Sequence, residues 1–349
     1  MSGPTASGRR SLVTGGSGFF GTMLVERLRA RGDQVRILDV MVPDQVPDGV
    51  EVVEADIRDA EAVRAACQDV DVAFHNVAQV PLAKDRHLFW SVNVVGTATL
   101  LVAARDAGVS KVVSTSTSAV YGIPERNPVD EDTPPRPLEA YGRAKLEAEL
   151  LCRDAAAAGL DVTVVRPRTI LGHGRLGIMS MLFELVAEGA PVPVLGPGDN
   201  RYQFVHAADL ADACLRAGDR PGPAAYNVGA PGFGTMRETL ESLCAHAGTG
   251  ARVRSLPHRP ARLAMEAASR GHLLPLAPYH WLLYGESLWF DSGRAQRELG
   301  WEARYDTPTM LAETYDWWLA HRDTLDGRTG SHHQSPARMG ALALLKRLP

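Results

Sequence analysis

A tyrosine and a lysine four residues apart form the pair in this sequence most clearly equipped for chemistry. They are Tyr141 and Lys145 in the segment YGRAK, and Lys145 is one of only four lysines in 349 residues. On a helix, side chains at i and i+4 share a face, so the phenol and the ammonium would project together. Because a nearby positive charge lowers the pKa of a phenol, the spacing predicts a tyrosine that exchanges protons near neutral pH.

A glycine-rich segment near the N-terminus predicts a site for a pyrophosphate. Gly15, Gly18 and Gly21 form a GxxGxxG pattern between a predicted strand at 11–14 and a predicted helix at 19–31. Without side chains the backbone can approach a phosphate closely, and a helix N-terminus supplies free N–H groups and a favourable dipole. This strand–turn–helix context indicates a dinucleotide site.

Two aspartates at the ends of predicted strands fit the same ligand. Asp39 ends the second strand, 18 residues after Gly21, where it can accept hydrogen bonds from the adenosine ribose hydroxyls. The same charge repels a 2′-phosphate, so it predicts NAD rather than NADP. Asp56 follows the third strand and can accept from the adenine amino group, although aspartate is also common as a helix N-cap.

Five consecutive hydroxyl residues, 114–118, follow a strand predicted near the middle of the sheet. A hydroxyl at that place can hydrogen-bond a substrate oxygen beside Tyr141. Chemistry alone leaves open which of the five does so.

Short apolar runs and helical patterns alternate through the first 166 residues. This alternation predicts an α/β fold, a Rossmann-type doubly wound parallel sheet covered on both faces. The predicted strands are 11–14, 34–39, 50–54, 70–75, 111–114 and 162–166, and the predicted helices are 19–31, 60–67, 88–107 and 138–158.

The alternation breaks after Arg166, where glycine and proline become denser. Helices are predicted at 176–188 and 207–217, whereas 251–290 shows no period. A smaller, discontinuous C-terminal substrate-binding lobe is therefore expected beside the Rossmann domain. The predicted divisions are a disordered lead at 1–10, the NAD-binding domain at 11–175 with 200–228 returning to it, the lobe at 176–199 and 229–320, and a tail at 321–349 with a short helix at 339–348.

Composition argues against several classes of protein. With 45% apolar residues and a net charge of −4, the chain is an ordinary globular sequence without a basic surface for nucleic acid. Its four cysteines form no CxxC pair, so we expect no metal site or disulfide framework and a cytoplasmic location. We find no apolar run of the ~18 residues that span a membrane, and no signal peptide.

Taken in order, ten short segments resemble one enzyme family. They are similar to motifs of the extended short-chain dehydrogenase/reductases, the NAD-dependent epimerase/dehydratase family. The resemblance covers residues 11 to about 320, nearly the whole chain, and the ordered set is specific to that family. The segments are TGGSGFFG, Asp39, DIRD, HNVA, NVVGT, STSTSAVYG, YGRAK, RPRTILG, FVHAAD and FDSGRAQRELGW.

The resemblance implies a role for each catalytic group. The hydroxyl three residues before the Val-Tyr-Gly triplet would be the catalytic one, which selects Thr117. Tyr141 would transfer the proton, and Lys145 would hold the nicotinamide ribose and tune Tyr141. Asn93, on the long central helix, would support the lysine.

The resemblance also implies which residues hold NAD. Phe19 and Phe20 would offer backbone N–H groups to the pyrophosphate, and 77–79 would line the cofactor. The complete expected set is Gly15, Gly18, Phe19, Phe20, Gly21, Asp39, Asp56, Ile57, Val77, Ala78, Gln79, Lys145 and Pro167.

Two substrate classes stay open within the family. A nucleotide-sugar enzyme, for example a 4-epimerase, is favoured by the overall pattern and by the segment from Arg201 to His206. A 3β-hydroxysteroid or sterol-type dehydrogenase, or a ketoreductase on an apolar small molecule, is the alternative. Thr169 stands where many sugar epimerases carry asparagine, and Arg201 lies one residue earlier than the usual diphosphate-binding arginine. We take Thr169, Arg201 and His206 as the candidate substrate-binding residues.

Other readings of the family pattern have less support. Sugar 4,6-dehydratases carry an Asp-Glu pair where this chain has Ser118-Ala119, so that elimination is not expected. Members that serve only as NAD-sensing modules typically lose the tyrosine or the lysine, and both are present. The helices 88–107 and 138–158 resemble those that form a four-helix interface in the family, which predicts a homodimer.

Overall fold

A computed structural model of the protein describes residues 8–43, 45–79, 86–270 and 282–325. The strands, numbered in chain order, are β1 Arg10–Thr14, β2 Gln34–Asp39, β3 Val50–Glu54, β4 Val72–His75, β5 Lys111–Thr115, β6 Val162–Pro167, β7 Thr169–Leu171, β8 Val192–Leu195, β9 Phe204–His206, β10 Ala224–Val228 and β11 Val253–Leu256. The α-helices are α1 Phe19–Arg31, α2 Ala60–Ala66, α3 Arg86–Trp90, α4 Gly96–Asp106, α5 Ala140–Ala157, α6 Ile178–Ala187, α7 Ala207–Asp219, α8 Met236–Ala247, α9 His258–Arg270, α10 Gly293–Leu299 and α11 Thr307–Leu325.

Seven parallel strands form the central sheet, in the order β10-β6-β5-β4-β1-β2-β3. The chain first builds outward from β1 to β3 and then returns to place β4 on the other side of β1. This reversal of strand order opens a crevice at the carboxyl ends of β1 and β4, the place where doubly wound sheets bind their ligands. The predicted Rossmann-type α/β fold is confirmed.

Alternate side chains of the central strands feed two separate cores. Val13 of β1 and Phe74 of β4 face the side covered by α1 and α7. Their neighbours Leu12 and Ala73 face the side covered by α2, α4 and α5. Because both faces are covered, these strands read as continuous apolar runs rather than as alternating patterns.

A second group of elements lies beyond the sheet. Strands β8 and β11 form a two-stranded parallel sheet, and β7 pairs with β9. The core of this group contains Phe183, Tyr315 and Trp318, whose rings lie 5.7–6.1 Å apart. The segment 251–290, which showed no period, contains β11 and α9.

The bounds of two elements differ from the predicted divisions. Strand β1 begins at Arg10, inside the predicted lead, and α11 continues to Leu325, four residues beyond the predicted start of the tail. Strand β10 pairs with β6, so the segment 200–228 supplies the edge strand of the large sheet. Residues 1–7 and 326–349, including the predicted helix 339–348, lie outside the described residues.

The predicted helix 88–107 is a composite. A π-helical turn, Ser91–Val95, joins α3 to α4. The stretch His87–Asp106 is long and apolar enough to cross a membrane by length and composition, which departs from our sequence-based expectation. However, 56% of the apolar window is buried inside the protein, as in the core helix of a globular domain.

Candidate active site

The glycine turn between β1 and α1 is shaped by contacts that exclude side chains. Gly15 has a positive φ of 73°, and a Cβ there would lie 2.9 Å from the backbone nitrogen of Val77. A Cβ on Gly21 would overlap the carbonyl oxygen of Gly15. Gly18 is the N-cap of α1, and no acidic side chain occupies the first turn. The turn therefore presents bare backbone at a helix N-terminus, next to the end of β4, and fits a pyrophosphate.

Asp39 is fixed against this turn. One carboxylate oxygen accepts from the backbone N–H of Ser17 at 3.1 Å, and the other accepts from that of Met41 at 3.1 Å. The carboxylate is 9% exposed at the carboxyl end of β2. Its position beside the glycine turn is the one expected of an acceptor for ribose hydroxyls.

Asp56 and Ile57 are engaged within the protein. The Asp56 carboxylate forms a two-pronged ion pair with Arg58, at 2.9 and 2.5 Å, and this pair lowers its pKa. The Ile57 side chain is buried in the core and lies where a Cβ on Gly96 would collide with it. The carboxylate that we assigned to adenine therefore already has a cationic partner, and Ile57 can offer a cofactor only its backbone.

The π-helical turn places Asn93 against the strand end that carries 77–79. The Asn93 side-chain amide accepts from the backbone N–H of Gln79 at 2.7 Å and donates to the Gln79 carbonyl at 3.1 Å. We predicted that Asn93 supports Lys145. In the structure its amide instead holds the backbone after β4, beside the glycine turn.

Thr117 and Tyr141 meet at the carboxyl end of β5. Glu139 caps α5 by accepting from the N–H groups of Tyr141 and Gly142 at 2.7 and 2.6 Å. A Cβ on Gly142 would lie 2.7 Å from the carbonyl of Ala119, so glycine lets the start of α5 approach the 3-10 turn Ser118–Tyr121. The Tyr141 phenol is hydrogen-bonded to the Thr117 hydroxyl.

Lys145 reaches the same loop from one helical turn further along α5. Its Nζ donates to the carbonyl of Thr115 at 2.8 Å, and the side chain is 3% exposed. Burial lowers the pKa of Lys145 to about 8. The three predicted residues Thr117, Tyr141 and Lys145 thus lie together, at the carboxyl end of the inner strand β5.

The Tyr141 pKa departs from our expectation. Burial raises it to about 12, and the nearby carboxylate of Glu139 acts in the same direction. The hydrogen bond from Thr117 and the charge of Arg175 lower it. The cation that acts on the phenol is therefore Arg175, from the loop after β7, rather than Lys145 as we predicted.

The three candidate substrate residues lie in different settings. The Thr169 hydroxyl is hydrogen-bonded to the Tyr202 phenol at 2.8 Å. Arg201 is exposed, with its guanidinium 4.9 Å from the ring of Phe233.

Pro167, which was predicted to contact the cofactor, is buried at the end of β6 opposite Val228.

His206 has a structural task in this fold. Its Nδ1 accepts from the backbone N–H of Ala208 at 3.2 Å and so caps α7. Its ring stacks on Tyr305 at 3.9 Å. Burial lowers the pKa of His206 to about 4. These contacts use Nδ1 and the ring face, whereas Nε2 is buried and finds no hydrogen-bond partner among the described residues.

Three further residues near the catalytic centre escaped sequence reasoning. Arg168 is 2% exposed and donates to the Ser118 hydroxyl at 2.6 Å. Arg175 acts on Tyr141, and Glu139 caps its helix. A cavity of about 280 Å³ adjoins Arg201 and is lined in part by Phe233, Trp289 and Phe290. The double arginine in RPR and the glutamate two residues before Tyr141 were the available signals.

The fold and the site together define a class: a dinucleotide-dependent oxidoreductase with a glycine-turn cofactor site and a threonine–tyrosine–lysine centre. Comparison with known proteins narrows this class. The model of the NAD dependent epimerase/dehydratase family matches residues 11–229. The chain belongs to that family and is an NAD-dependent epimerase/dehydrogenase of the extended short-chain dehydrogenase/reductase type.

Several relatives cover most of the chain. It is 48% identical to the uncharacterized protein y4nG of Sinorhizobium fredii, over 97% of this chain and 85% of that protein. It is 32% identical to a UDP-glucose 4-epimerase of Mycolicibacterium smegmatis, over 88% of this chain and 98% of the relative. It is also 32% identical to a 3 beta-hydroxysteroid dehydrogenase/Delta 5-->4-isomerase of Mycobacterium tuberculosis, over 89% and 90%.

The structure resembles that of MoeE5 in complex with UDP-glucose and NAD. The two share 27% identity and a TM-score of 0.72, over 90% of this chain and 99% of MoeE5. Solved relatives of this chain thus bind NAD and nucleotide-sugars.

Proposed function

We propose that the protein moves hydride between a secondary alcohol or ketone and NAD, with a nucleotide-sugar as substrate, in the manner of a 4-epimerase. The observation that carries the proposal is the hydrogen-bonded Thr117–Tyr141 pair, with Lys145 one helical turn away, beside the glycine turn. The UDP-glucose 4-epimerase relative and MoeE5 support the sugar substrate, because this chain covers nearly their whole length.

The residues divide the chemistry between them. The glycine turn and Asp39 would hold NAD, which would supply the hydride acceptor for oxidation of the sugar carbon and the hydride donor for the return step. Tyr141 receives the proton that leaves the alcohol oxygen and gives it back in the reverse step. Thr117 orients that oxygen by hydrogen bonding. Burial holds the pKa of Tyr141 near 12 although Thr117 and Arg175 act to lower it, and a bound nicotinamide would supply further positive charge beside the phenol.

The cofactor residues also favour NAD over NADP in this proposal. Asp39 holds two backbone N–H groups and keeps a negative charge beside the glycine turn. A 2′-phosphate at this place would meet that charge, whereas ribose hydroxyls can donate to it. Asp39→Ala should therefore reduce the ratio of the Kd for NADP to the Kd for NAD, as measured by titration with both cofactors.

Net oxidation of an apolar alcohol is the second candidate. The 3 beta-hydroxysteroid dehydrogenase relative matches over a similar length. In this reading Thr117 and Tyr141 keep their roles, and only the substrate differs.

Ligand-dependent thermal stabilisation separates the two candidates. The protein with NAD should be stabilised further by at least one UDP-, dTDP- or GDP-sugar and not by sterols. Stabilisation by sterols alone would contradict the nucleotide-sugar function and support the second candidate. Tyr141→Phe is the matched control: it should keep NAD binding and lose turnover, and unchanged turnover would contradict the mechanism.

We further propose a cytoplasmic homodimer. Trp90, Val95 and Val102 leave large apolar side chains exposed on the composite helix 86–106, which is one of the two helices predicted to pair. Val102→Glu should halve the mass measured by light scattering, whereas Leu319→Glu, at an exposed position on α11, should not. The four cysteines are free and buried, which fits a reducing compartment.

A further inference from the structure

The guanidinium of Arg168 is buried and has no carboxylate partner in the described part of the chain. Its side chain follows β6 and is 2% exposed. Among the described residues, no aspartate or glutamate oxygen lies within 4.0 Å of its guanidinium. A buried charge is strongly unfavourable unless it is paired, so the position calls for a negative partner.

Arg166, two residues earlier, shows what such a partner does. Its Nε and Nη2 donate to the two oxygens of Glu149 at 3.0 and 2.6 Å. Its Nη1 donates to the Tyr121 hydroxyl at 2.7 Å. One edge of this guanidinium thus holds a carboxylate, and the remaining nitrogen holds a hydroxyl.

Arg168 has the second half of this arrangement and lacks the first. Its Nη1 donates to the Ser118 hydroxyl at 2.6 Å. Its Nε and Nη2 are shielded from water and have no hydrogen-bond partner among the described residues. These two nitrogens form one edge, with parallel N–H groups that match the two oxygens of a carboxylate.

Aromatic rings cover the faces of the same guanidinium. Its central carbon lies 4.8 Å from the ring of Tyr202 and 5.8 Å from that of Phe290. Such contacts offset part of the cost of burial. The two rings contact the faces of the guanidinium, however, and leave its Nε–Nη2 edge without a partner. An anion could reach this edge by entering between the rings. A covering side chain must move aside when that anion enters.

The position of Ser118 decides which anion fits. Arg168 donates to Ser118, which directly follows Thr117, and the Thr117 hydroxyl is hydrogen-bonded to Tyr141. The guanidinium of Arg168 therefore lies at the proton-transfer end of the site. In a nucleotide-sugar the diphosphate is attached at C1, across the ring from C4. The carboxylate of a uronate is attached at C5, next to C4.

We propose that Arg168 binds the sugar carboxylate of a nucleoside diphosphate uronate and thereby selects an acidic sugar over a neutral one. This inference rests on the proposed nucleotide-sugar function. It adds a specificity-determining residue that the family pattern did not supply.

Calorimetric titration in saturating NAD tests the proposal with UDP-glucuronate, UDP-glucose and UDP. The unchanged protein should bind UDP-glucuronate at least roughly tenfold more tightly than UDP-glucose. Arg168→Gln should weaken UDP-glucuronate by roughly 30-fold or more and leave UDP-glucose and UDP within roughly threefold. Arg64→Gln, at an exposed position on α2, is the matched control and should change nothing.

Different failures have different meanings. Equal affinity for both UDP-sugars overturns the role of Arg168 and leaves the proposed function standing. No binding of any UDP compound, together with no stabilisation by a dTDP- or GDP-sugar, overturns both. If Arg168→Gln weakens UDP as much as UDP-glucuronate, the charge holds the diphosphate and the proposal is wrong. Should that variant lose NAD binding through misfolding, Arg168→Lys decides. It keeps the charge without the two-pronged edge, so an unchanged preference for UDP-glucuronate overturns the proposal.

Discussion

At the cofactor end of the cleft the surface is made by backbone, whereas at the substrate end it is made by long side chains. Positions 15 and 21 require glycine, because backbone atoms of neighbouring residues lie too close to where a Cβ would be. Arg168, Tyr202 and Phe290 come from three distant segments and meet through their side chains. Binding of a ligand by backbone groups depends on a short local sequence pattern. Binding by side chains depends on contacts between segments that are distant in the sequence. This difference explains why the cofactor could be predicted from sequence and the sugar could not.

The largest expected effect is at the junction of the two ends. Tyr141→Phe removes the proton acceptor and keeps the ring, so turnover should fall by roughly 10²–10⁴-fold. Affinity for NAD should stay within about threefold, because the backbone surface of the cofactor end is untouched. Steady-state kinetics and a NAD titration measure the two quantities, and a parallel loss of both would erase the distinction between the ends.

The glycine turn offers the next largest effect. Gly21→Ala places a Cβ on the carbonyl oxygen of Gly15 and should lower the free energy of unfolding by about 3 kcal/mol or more. Gly18→Ala is the matched control, since its Cβ would lie 3.3 Å from the same oxygen. It should leave stability within about 1 kcal/mol and weaken NAD selectively. Equal losses of stability would show that the turn is not built by steric exclusion.

A buried histidine at each end makes stability depend on pH. Burial lowers the pKa of His75 to about 3 and that of His206 to about 4. Between those values and 6.5 the unfolded chain binds more protons, so stability falls as pH decreases below 6.5. Each histidine should contribute a slope of up to about 1.4 kcal/mol per pH unit. Urea unfolding at several pH values should show a shallower slope for His206→Asn, which keeps a helix cap.

The smallest effect is expected at a single hydrogen bond of the substrate end. Tyr202→Phe removes the phenol that is bonded to Thr169 at 2.8 Å. The KM for the sugar should rise by about threefold to tenfold with little change in kcat. Thr169→Val breaks the same bond, so the double variant should be no worse than either single one. Additive losses would mean that the two residues contact the substrate separately.

The local parts of the fold were predictable because local chemistry dictates them. Strands β2 and β3 and helix α1 have the predicted bounds, since apolar runs, turn glycines and helix ends are all written within a few neighbouring residues. The proximity of Tyr141 and Lys145 followed from their spacing, and that of the hydroxyl segment 114–118 from a strand end, whereas the choice of Thr117 came from the family resemblance. These are features in which sequence distance and spatial distance are both short.

The parts that escaped prediction depend on distant partners. The pairing of Asp56 with Arg58 competes with its expected ligand, and the π-helical turn that aims Asn93 at Gln79 leaves no periodic signal. The Tyr141 pKa follows from burial and from Arg175, neither of which the YxxxK spacing contains. The sequence carried the arginines of RPR, but only the fold shows that Arg166 has a carboxylate partner and that Arg168 has none within the described part of the chain.

The late arrival of β10 at the edge of the sheet has a consequence for synthesis. Strand β6 ends at Pro167, and the strand that covers it begins at Ala224, about 60 residues later. At ordinary translation rates this gap lasts roughly 3 to 12 s. During it the nascent chain already carries the glycine turn and the Tyr141–Lys145 helix, yet exposes the open edge of β6 to pairing with another chain. A fragment that ends between 168 and 223 would therefore contain these cofactor and proton-transfer elements and still be prone to aggregate.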